Sequence, residues 1–320
     1  MKNTKVLLLV LIIIFSLIFV SACSTSNEND VPINEHDSVG DVSQSETTES
    51  ETAQNEKSQS ETTDVDTLIK SEVTVEPKVL LDQDGIIITL KSLNIDDLFG
   101  PALKILVENG SDKSVTIQIR NAAINDVMIE NIFSCDVVAG KNANDEIIFM
   151  QSDLDAAGIE TIKDIEFKFQ ISDTETWDTV FDTNTINITT SADPSYVQTY
   201  DDSGFIALNQ NGYKVVIKKI DNEDSSWGAD IYVYLENNNE INTTIQVRDV
   251  SINGFMMEPI FSCDIVVGKK AYDSITFLES DLIDNDITSI DEMELAFHIF
   301  DEESWDTAFD SETITVTFGE

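Results

Sequence analysis

Two tandem all-β sandwiches, set behind a signal peptide and a disordered acidic linker, are what this 320-residue sequence predicts. Three observations lead there. Residues 100–190 align without a gap to residues 228–318 at a constant offset of 128, and about 40 of the aligned positions are identical. Each copy is built from short segments of alternating apolar and polar residues, punctuated by Asp-Gly and Asn-Gly pairs. At ~110 residues, each copy is also long enough to bury its own core, so the pair forms a tandem array and not a solenoid.

The chain opens with Lys2 and Lys5, then an apolar run over 6–19 broken by one serine, then Val20-Ser21-Ala22-Cys23. A positive n-region, a short apolar stretch and small residues before the break are the layout of a secretory signal peptide, here residues 1–22. The run is short for a membrane span, which takes ~20 apolar residues. Val20-Ser21-Ala22-Cys23 resembles the lipobox of bacterial lipoproteins, in which the cysteine becomes the mature N-terminus and carries a thioether-linked diacylglycerol. The resemblance implies lipidation at Cys23 and an anchor on the extracytoplasmic face of the cell membrane.

Residues 23–76 read as a disordered Ser/Thr/Glu-rich linker. Between 43 and 66 there is no aromatic residue, and Ala53 and Val65 are the only aliphatic side chains. Such a segment buries too little apolar surface to offset the entropy of ordering it. Its r.m.s. reach of about 40 Å suits a tether between membrane and wall.

Sixty-one acids against 18 Lys and Arg give a net charge of −43, and removing Lys2 and Lys5 with the leader makes it −45. A field of that sign repels phosphates, which excludes nucleic acid and any basic-patch contact with anionic headgroups. It suits a soluble exported surface, or attraction to cations and basic partners.

Repeat 1 is placed at 77–190, a linker at 191–203 and repeat 2 at 204–320. Strand alternation puts Ile165, Phe167, Phe169 and Ile171 on one face, and likewise Ile231, Val233 and Leu235. Gln83-Asp84-Gly85, Gln210-Asn211-Gly212 and Asn253-Gly254 signal type I′ hairpins, which need positive φ. One short helical patch is expected at 152–158, with Ser152 as N-cap and Gly158 as stop. Six or seven strands in ~110 residues argue for an immunoglobulin-like sandwich.

The matched blocks are Thr116-Ile-Gln-Ile-Arg120 with Thr244-Ile-Gln-Val-Arg248, Ile132-Phe-Ser-Cys-Asp136 with Ile260-Phe-Ser-Cys-Asp264, and Trp177-Asp-Thr-Val-Phe-Asp182 with Trp305-Asp-Thr-Ala-Phe-Asp310. They resemble an immunoglobulin-like domain of unknown function found in lipoproteins and zinc-ribbon membrane proteins of low-GC Gram-positive bacteria. The resemblance covers both repeats. It implies a fold and a compartment, and brings no catalytic residues.

The inventory for chemistry is thin. His36 lies in the linker and His298 on an outward strand face, so neither a Cys-His nor a Ser-His arrangement has its parts. Cys135 and Cys263 fall beside Phe133 and Phe261 on inward faces, as free core thiols. No Cys/His cluster suits zinc, and no glycine-rich loop suits phosphate. Asp82 with Asp84, and the group Asp281, Asp284 and Asp286, lack EF-hand spacing and read as solvated acidic loops. The expectation is a non-enzyme without cofactor or metal: a lipid-anchored binding module for an envelope protein or glycan. An envelope or glycan hydrolase and a ligand-free spacer are the alternatives.

Three groups of residues are placed by the same alternation and spacing. Arg120 and Arg248, the only arginines, point outward; each is expected to pair with an acid on a neighbouring strand, Asp136 and Asp264 respectively. Trp177 and Trp305 are expected to pack at a sandwich edge. Tyr232 and Tyr234, on an outward face near Trp227, form the candidate partner surface. The same tyrosines could instead cover an interdomain contact or shield strand edges.

Overall fold

The computed structural model describes residues 73–221 and 228–318; the leader, Cys23, residues 24–72 and Trp227 lie outside the described residues. The expected disordered linker over 23–76 is corrected at its end, where Val73 is buried, Val75 packs on the repeat 1 core and Thr74 N donates to Ser191 Oγ at 2.9 Å. Repeat 1 comprises β1 (Lys78–Gln83), β2 (Ile86–Asn94), β3 (Ala102–Asn109), β4 (Val115–Ile124), β5 (Val127–Met128), β6 (Asn131–Ile132), β7 (Ser134–Val137), β8 (Lys141–Phe149), helix α1 (Gln151–Ala156), β9 (Asp164–Asp173), β10 (Thr179–Asp182) and β11 (Ile186–Thr189). Repeat 2 follows with β12 (Phe205–Gln210), β13 (Tyr213–Asp221), β14 (Gly228–Asn237), β15 (Thr243–Ile252), β16 (Phe255–Met256), β17 (Ser262–Ile265), β18 (Lys270–Leu278), helix α2 (Glu279–Asp284), β19 (Glu292–Asp301), β20 (Thr307–Asp310) and β21 (Ile314–Thr317).

Each repeat is an immunoglobulin-like β-sandwich. In repeat 1 the meander β1-β2-β3 is extended by β8 and β6, and it faces a second layer of β4 and β9 flanked by β5, β7, β10 and β11. Repeat 2 layers β12-β13-β14-β18 over β15 and β19 with their short neighbours. The strands outnumber the expected six or seven because the edges break up: β5, β6 and β16 are two-residue pieces, and β10 and β11 share the β9 edge in turn.

Alternation fills the space between layers. Ile165, Phe167, Phe169 and Ile171 of β9 are fully buried, and Ile88, Leu90, Leu103 and Ile105 meet them in one core cluster. Ile231, Val233 and Leu235 of β14 do the same in the second cluster with Leu295, Phe297 and Ile299 of β19. Removing that much apolar surface from water is the main term holding either sandwich together. Cys135 and Cys263 are free and buried. Burial pushes the Cys135 thiol up to about 12 and raises Cys263 as well, so neither is a nucleophile at neutral pH.

The turns have the chemistry their residues dictate. Asp84-Gly85, Asn211-Gly212 and Asn253-Gly254 all sit at positive φ, between 50° and 83°. Gly100 and Gly228 hold φ of 138° and 146°, where a Cβ would strike the carbonyl oxygens of Phe149 and Phe277. The helix begins earlier than expected: Met150 precedes it in an extended conformation, and no side chain caps it. Ser152 Oγ instead donates to Asp153 Oδ1 at 3.1 Å.

A buried asparagine staples the layers in each copy. Asn109 Nδ2 donates to the carbonyls of Lys113 and Val137, both at 2.8 Å, while its Oδ1 accepts from Ser111 N at 3.0 Å. Asn237 repeats this with Ile241, Ile265 and Asn239. Such a satisfied amide inside an apolar core specifies one alignment of the two sheets, since misalignment strands its polar atoms.

The repeats belong to one compact unit and share a sheet. The tip of the β4–β5 hairpin lies along the start of β18, with Val127 bridged in parallel to Lys270. Lys270 N donates to Asp126 O at 3.0 Å. Lys269 Nζ grips two carboxylates across the seam, Asp126 at 2.7 Å and Glu166 at 2.8 Å. Apolar packing is reciprocal: Met128 packs on the core of repeat 2, and Tyr272 on that of repeat 1. The connecting segment is fastened on both sides. Lys163 Nζ holds the carbonyls of Pro194 and Tyr196, while Lys218 and Lys214 pair with Asp201 and Asp202.

Candidate functional site

The hairpins that follow β9 and β19 each push a tryptophan into solvent. In repeat 1, Asp173 Oδ1 accepts the backbone N–H groups of Glu175 and Thr176 at 3.0 and 3.2 Å, and Trp177 N closes the turn on Asp173 O at 2.8 Å. In repeat 2, Asp301 Oδ1 accepts from Glu303 and Ser304, both at 2.8 Å, and Trp305 N closes on Asp301 O at 3.0 Å. Closing so tight a turn forces the next residue into the left-handed region. Both tryptophans sit at φ 63°, a conformation that costs a bulky L-residue roughly 1–2 kcal/mol.

Their side chains are 67% and 65% exposed. The expectation that Trp177 and Trp305 pack at a sandwich edge is therefore corrected: left-handed backbone at the turn aims the indole away from the sandwich. Trp305 stacks one face on Phe300, with centroids 5.3 Å apart, and leaves the other open. The amide hydrogen bonds hold the carboxyls of Asp173 and Asp301 below the usual carboxylate range, so an ionised acid sits at the base of each indole. The sequence signal for this site is the polar run Asp-x-x-Thr/Ser immediately before each tryptophan, a side-chain-capped turn and not a strand.

The tyrosine surface is not assembled as expected. Tyr234 is buried at 1% exposure, because Tyr272 on the adjacent β18 lies against it with centroids 5.0 Å apart. Lys214 closes over the same ring. Burial, with Glu236 beside the hydroxyl, raises Tyr234 far above its ordinary value. Tyr232 is half-buried, with the Lys219 ammonium 4.7 Å from its ring centroid. Tyr272 packs on repeat 1 and its hydroxyl donates to Asp201 O at 3.3 Å, so Tyr234 is backed by a ring of the repeat junction, whereas Tyr232 stands between Lys219 and Ser274. Trp227, the third residue of that proposal, is outside the described residues.

The arginine pairings are also corrected. Arg120 forks onto Gln170 Oε1 through Nε and Nη2, at 3.2 and 2.9 Å. Arg248 Nη2 pairs with Asp310 Oδ1 at 2.7 Å, the same oxygen that His298 Nδ1 meets at 2.7 Å. Register explains why Asp136 and Asp264 are not the partners. Asp136 stands opposite Thr116 and Asp264 opposite Thr244, four residues along the strand from each arginine. Each carboxylate accepts that threonine hydroxyl instead. The His298 contact, then the Arg248 hydrogen bond, holds the Asp310 carboxyl below its usual range.

A cleft of about 230 Å³ lies where the inter-repeat segment crosses repeat 1, lined by Asn125, Lys163, Tyr196 and Gln198 among others. Its polar groups are committed to holding that segment. Asn125 Oδ1 accepts from Lys163 and Asp164 backbone N–H groups, Tyr200 Oη donates to Asn125 O, and Tyr196 Oη donates to Gln198 Oε1. Among the described residues, no group of three or more His, Cys, Asp or Glu is placed to hold a metal ion.

No family model matches this chain, and no curated protein does. Among solved structures, the chaperone–tip adhesion subunit complex CsuC–CsuE of archaic Csu pili from Acinetobacter baumannii is 12% identical, covering 68% of this chain and 92% of that chain with a TM-score of 0.20. The Salmonella enterica SafA pilin in complex with the SafB chaperone is 10% identical, covering 68% and 89% with a TM-score of 0.18. At scores of this size neither likeness bears on function, and the sandwich assignment stands on strand order, layering and the two buried cores.

Proposed function

We propose that this chain is a lipid-anchored, extracytoplasmic, non-catalytic binding module that engages a cationic envelope partner through the Trp177 and Trp305 turns. The observation that carries this reading is the pair of indoles held outward at a strained backbone angle, at the same position of both repeats. Strain of that kind persists where surrounding structure enforces it, and it concentrates at sites that contact ligands. An open indole face beside a fixed carboxylate suits a lysine or arginine side chain, by cation–π attraction and ion pairing together. The net charge of −43 favours approach of the same class of partner.

Supporting the compartment are the leader and the lipobox-like Val20-Ser21-Ala22-Cys23, along with the resemblance to domains of Gram-positive lipoproteins. Two acyl chains at ~0.8 kcal/mol per buried methylene anchor stably where one would not. Fatty-acid labelling tests this arm: wild type takes up label and Cys23→Ser does not, and label on Cys23→Ser would remove the anchor from the reading.

Binding is tested by titrating a lysine-rich peptide, with a neutral glycan fragment as control, while following indole fluorescence. A saturable change with the peptide that vanishes in the Trp177→Ala/Trp305→Ala double variant is expected. An unchanged response in the double variant would overturn the assignment of the turns. A ligand-free spacer is the second reading, favoured by the continuous sheet through the repeat junction; it predicts no saturable response to either probe.

A further inference from the structure

We infer that the β15–β16 tip of repeat 2 is a docking face for repeat 1 of a second copy of this chain, joined head to tail as the two repeats are joined within one copy. The internal junction supplies the template. There the tip residues Asp126, Val127 and Met128 lie along Lys269, Lys270 and Tyr272. Every one of these has a counterpart 128 positions away. The tip of repeat 2 is Gly254, Phe255 and Met256, and the receiving end of repeat 1 is Lys141, Asn142 and Asn144.

The two tips differ in what covers them. Val127 is 1% exposed, held in the repeat 1 core and bridged to Lys270, and Met128 is partly buried against the repeat 2 core, whereas Phe255 is 47% and Met256 69% exposed. The uncovered tip is also the more apolar of the two, with Gly254 for Asp126 and Phe255 for Val127. Side chains of that kind in solvent mark an interaction site more often than a plain turn.

The receiving end is present on the same molecule and is open. Lys141 and Asn142 are exposed at the start of β8. Asn142 stands opposite Glu108 in the register in which Lys270 stands opposite Glu236, so its N–H is placed to meet a tip carbonyl as Lys270 N meets Asp126 O. Lys141 is the counterpart of Lys269, and Glu294, exposed on β19 beside the tip, is the counterpart of its partner Glu166. One ion pair and the apolar tip are thus reproduced between copies. The Asp126 carboxylate and the Tyr272 ring are not. The contact is accordingly weaker than the internal one and forms at high protein concentration, such as an anchored layer provides.

Sedimentation equilibrium of the full-length protein in density-matched detergent tests this with two exposed substitutions, Met256→Asp at the tip and Lys141→Glu at the receiving end. Wild type is expected to gain mass with concentration and not stop at a dimer, because each added copy presents a free tip. Either variant alone is expected to remain a monomer. An equimolar mixture of the two restores one intact junction and should stop at twice the monomer mass. Trp177→Ala should associate as wild type does, which separates this contact from the proposed ligand surface. A wild type that stays monomeric at every concentration, a single variant that associates like wild type, or a mixture that stays monomeric would each overturn the inference.

Discussion

The hairpin tips of the two repeats carry the same asparagine and then part ways. Asn125 and Asn253 both accept backbone N–H groups from the start of the neighbouring strand, Lys163 and Asp164 in one copy and Asp291 and Glu292 in the other. After it, repeat 1 places Asp126 at φ 64°, where glycine occupies repeat 2 at φ 83°. An aspartate tolerates this region better than most side chains, and here its carboxylate reaches Lys269 at 2.7 Å. The same backbone therefore makes an exposed apolar tip at one end of the molecule and half of a domain junction in the middle. A single side chain at a turn tip, with its apolar neighbour, separates a covered surface from an open one.

The largest test of that comparison asks whether the repeats stand independently. Phe167→Asp and Leu295→Asp put an unpaired carboxylate at equivalent, fully buried core positions, at a cost of several kcal/mol each. Each is expected to unfold its own repeat and to leave the other protected. Hydrogen exchange mapped by segment reads this directly. Loss of protection in both repeats from either substitution would make the junction an obligatory part of both folds.

Lys269→Met acts on the junction alone. It leaves Asp126 and Glu166 facing each other without a cation, and about 1–3 kcal/mol of junction stability should go with it. The counterpart Lys141→Met should leave thermal stability unchanged, since Lys141 is exposed at the uncovered end. Equal losses from both would contradict the difference between the two ends.

The seam also carries a pH signature. Burial raises Glu130, with Asp153 and Asp273 adding to it, and burial raises Asp153 and Asp273 too. A carboxyl whose folded value exceeds its unfolded value binds more protons when folded. Stability therefore rises as pH falls from neutrality through the raised values and levels off once the unfolded carboxyls protonate too; it is lost at lower pH as Asp173, Asp201, Asp301 and Asp310, whose folded values are lowered, take up protons. Melting temperature is expected to pass through a maximum on mild acidification. Asp273→Asn should flatten the rise, and an unchanged rise in that variant would remove Asp273 from this account.

The smallest effect separates the tryptophan turns. Glycine relieves the left-handed strain at either position, so Trp177→Gly should stabilise repeat 1 by up to about 1 kcal/mol. Trp305→Gly also loses the stack on Phe300, roughly 0.5–1.5 kcal/mol, and should come out near neutral. Denaturant midpoints compare them, and a marked loss from Trp177→Gly would mean that its indole has a packing role.

Periodicity and turn chemistry, both local properties, settled the inward faces of β9 and β14, the Asp-Gly and Asn-Gly hairpins and the burial of Cys135 and Cys263. Each follows from two-residue alternation or from the φ that glycine and asparagine accept, and needs no knowledge of what lies across the sheet. The offset of 128 likewise established that one fold occurs twice. Pairings between strands were another matter. Arg120 could be placed on an outward face, but its choice of Gln170 over Asp136 depended on how β4 aligns with β9 and β7, which alternation leaves open. Tyr234 was outward by parity and still buried, because Tyr272 of β18 and Lys214 of β13 close over its ring. Trp177 and Trp305, apolar and large, were expected at a sandwich edge; a turn closed by an aspartate four residues upstream turned them out. Parity along one strand is written in the chain, whereas what stands opposite a side chain comes from residues far away in sequence, and only the folded arrangement brings them together.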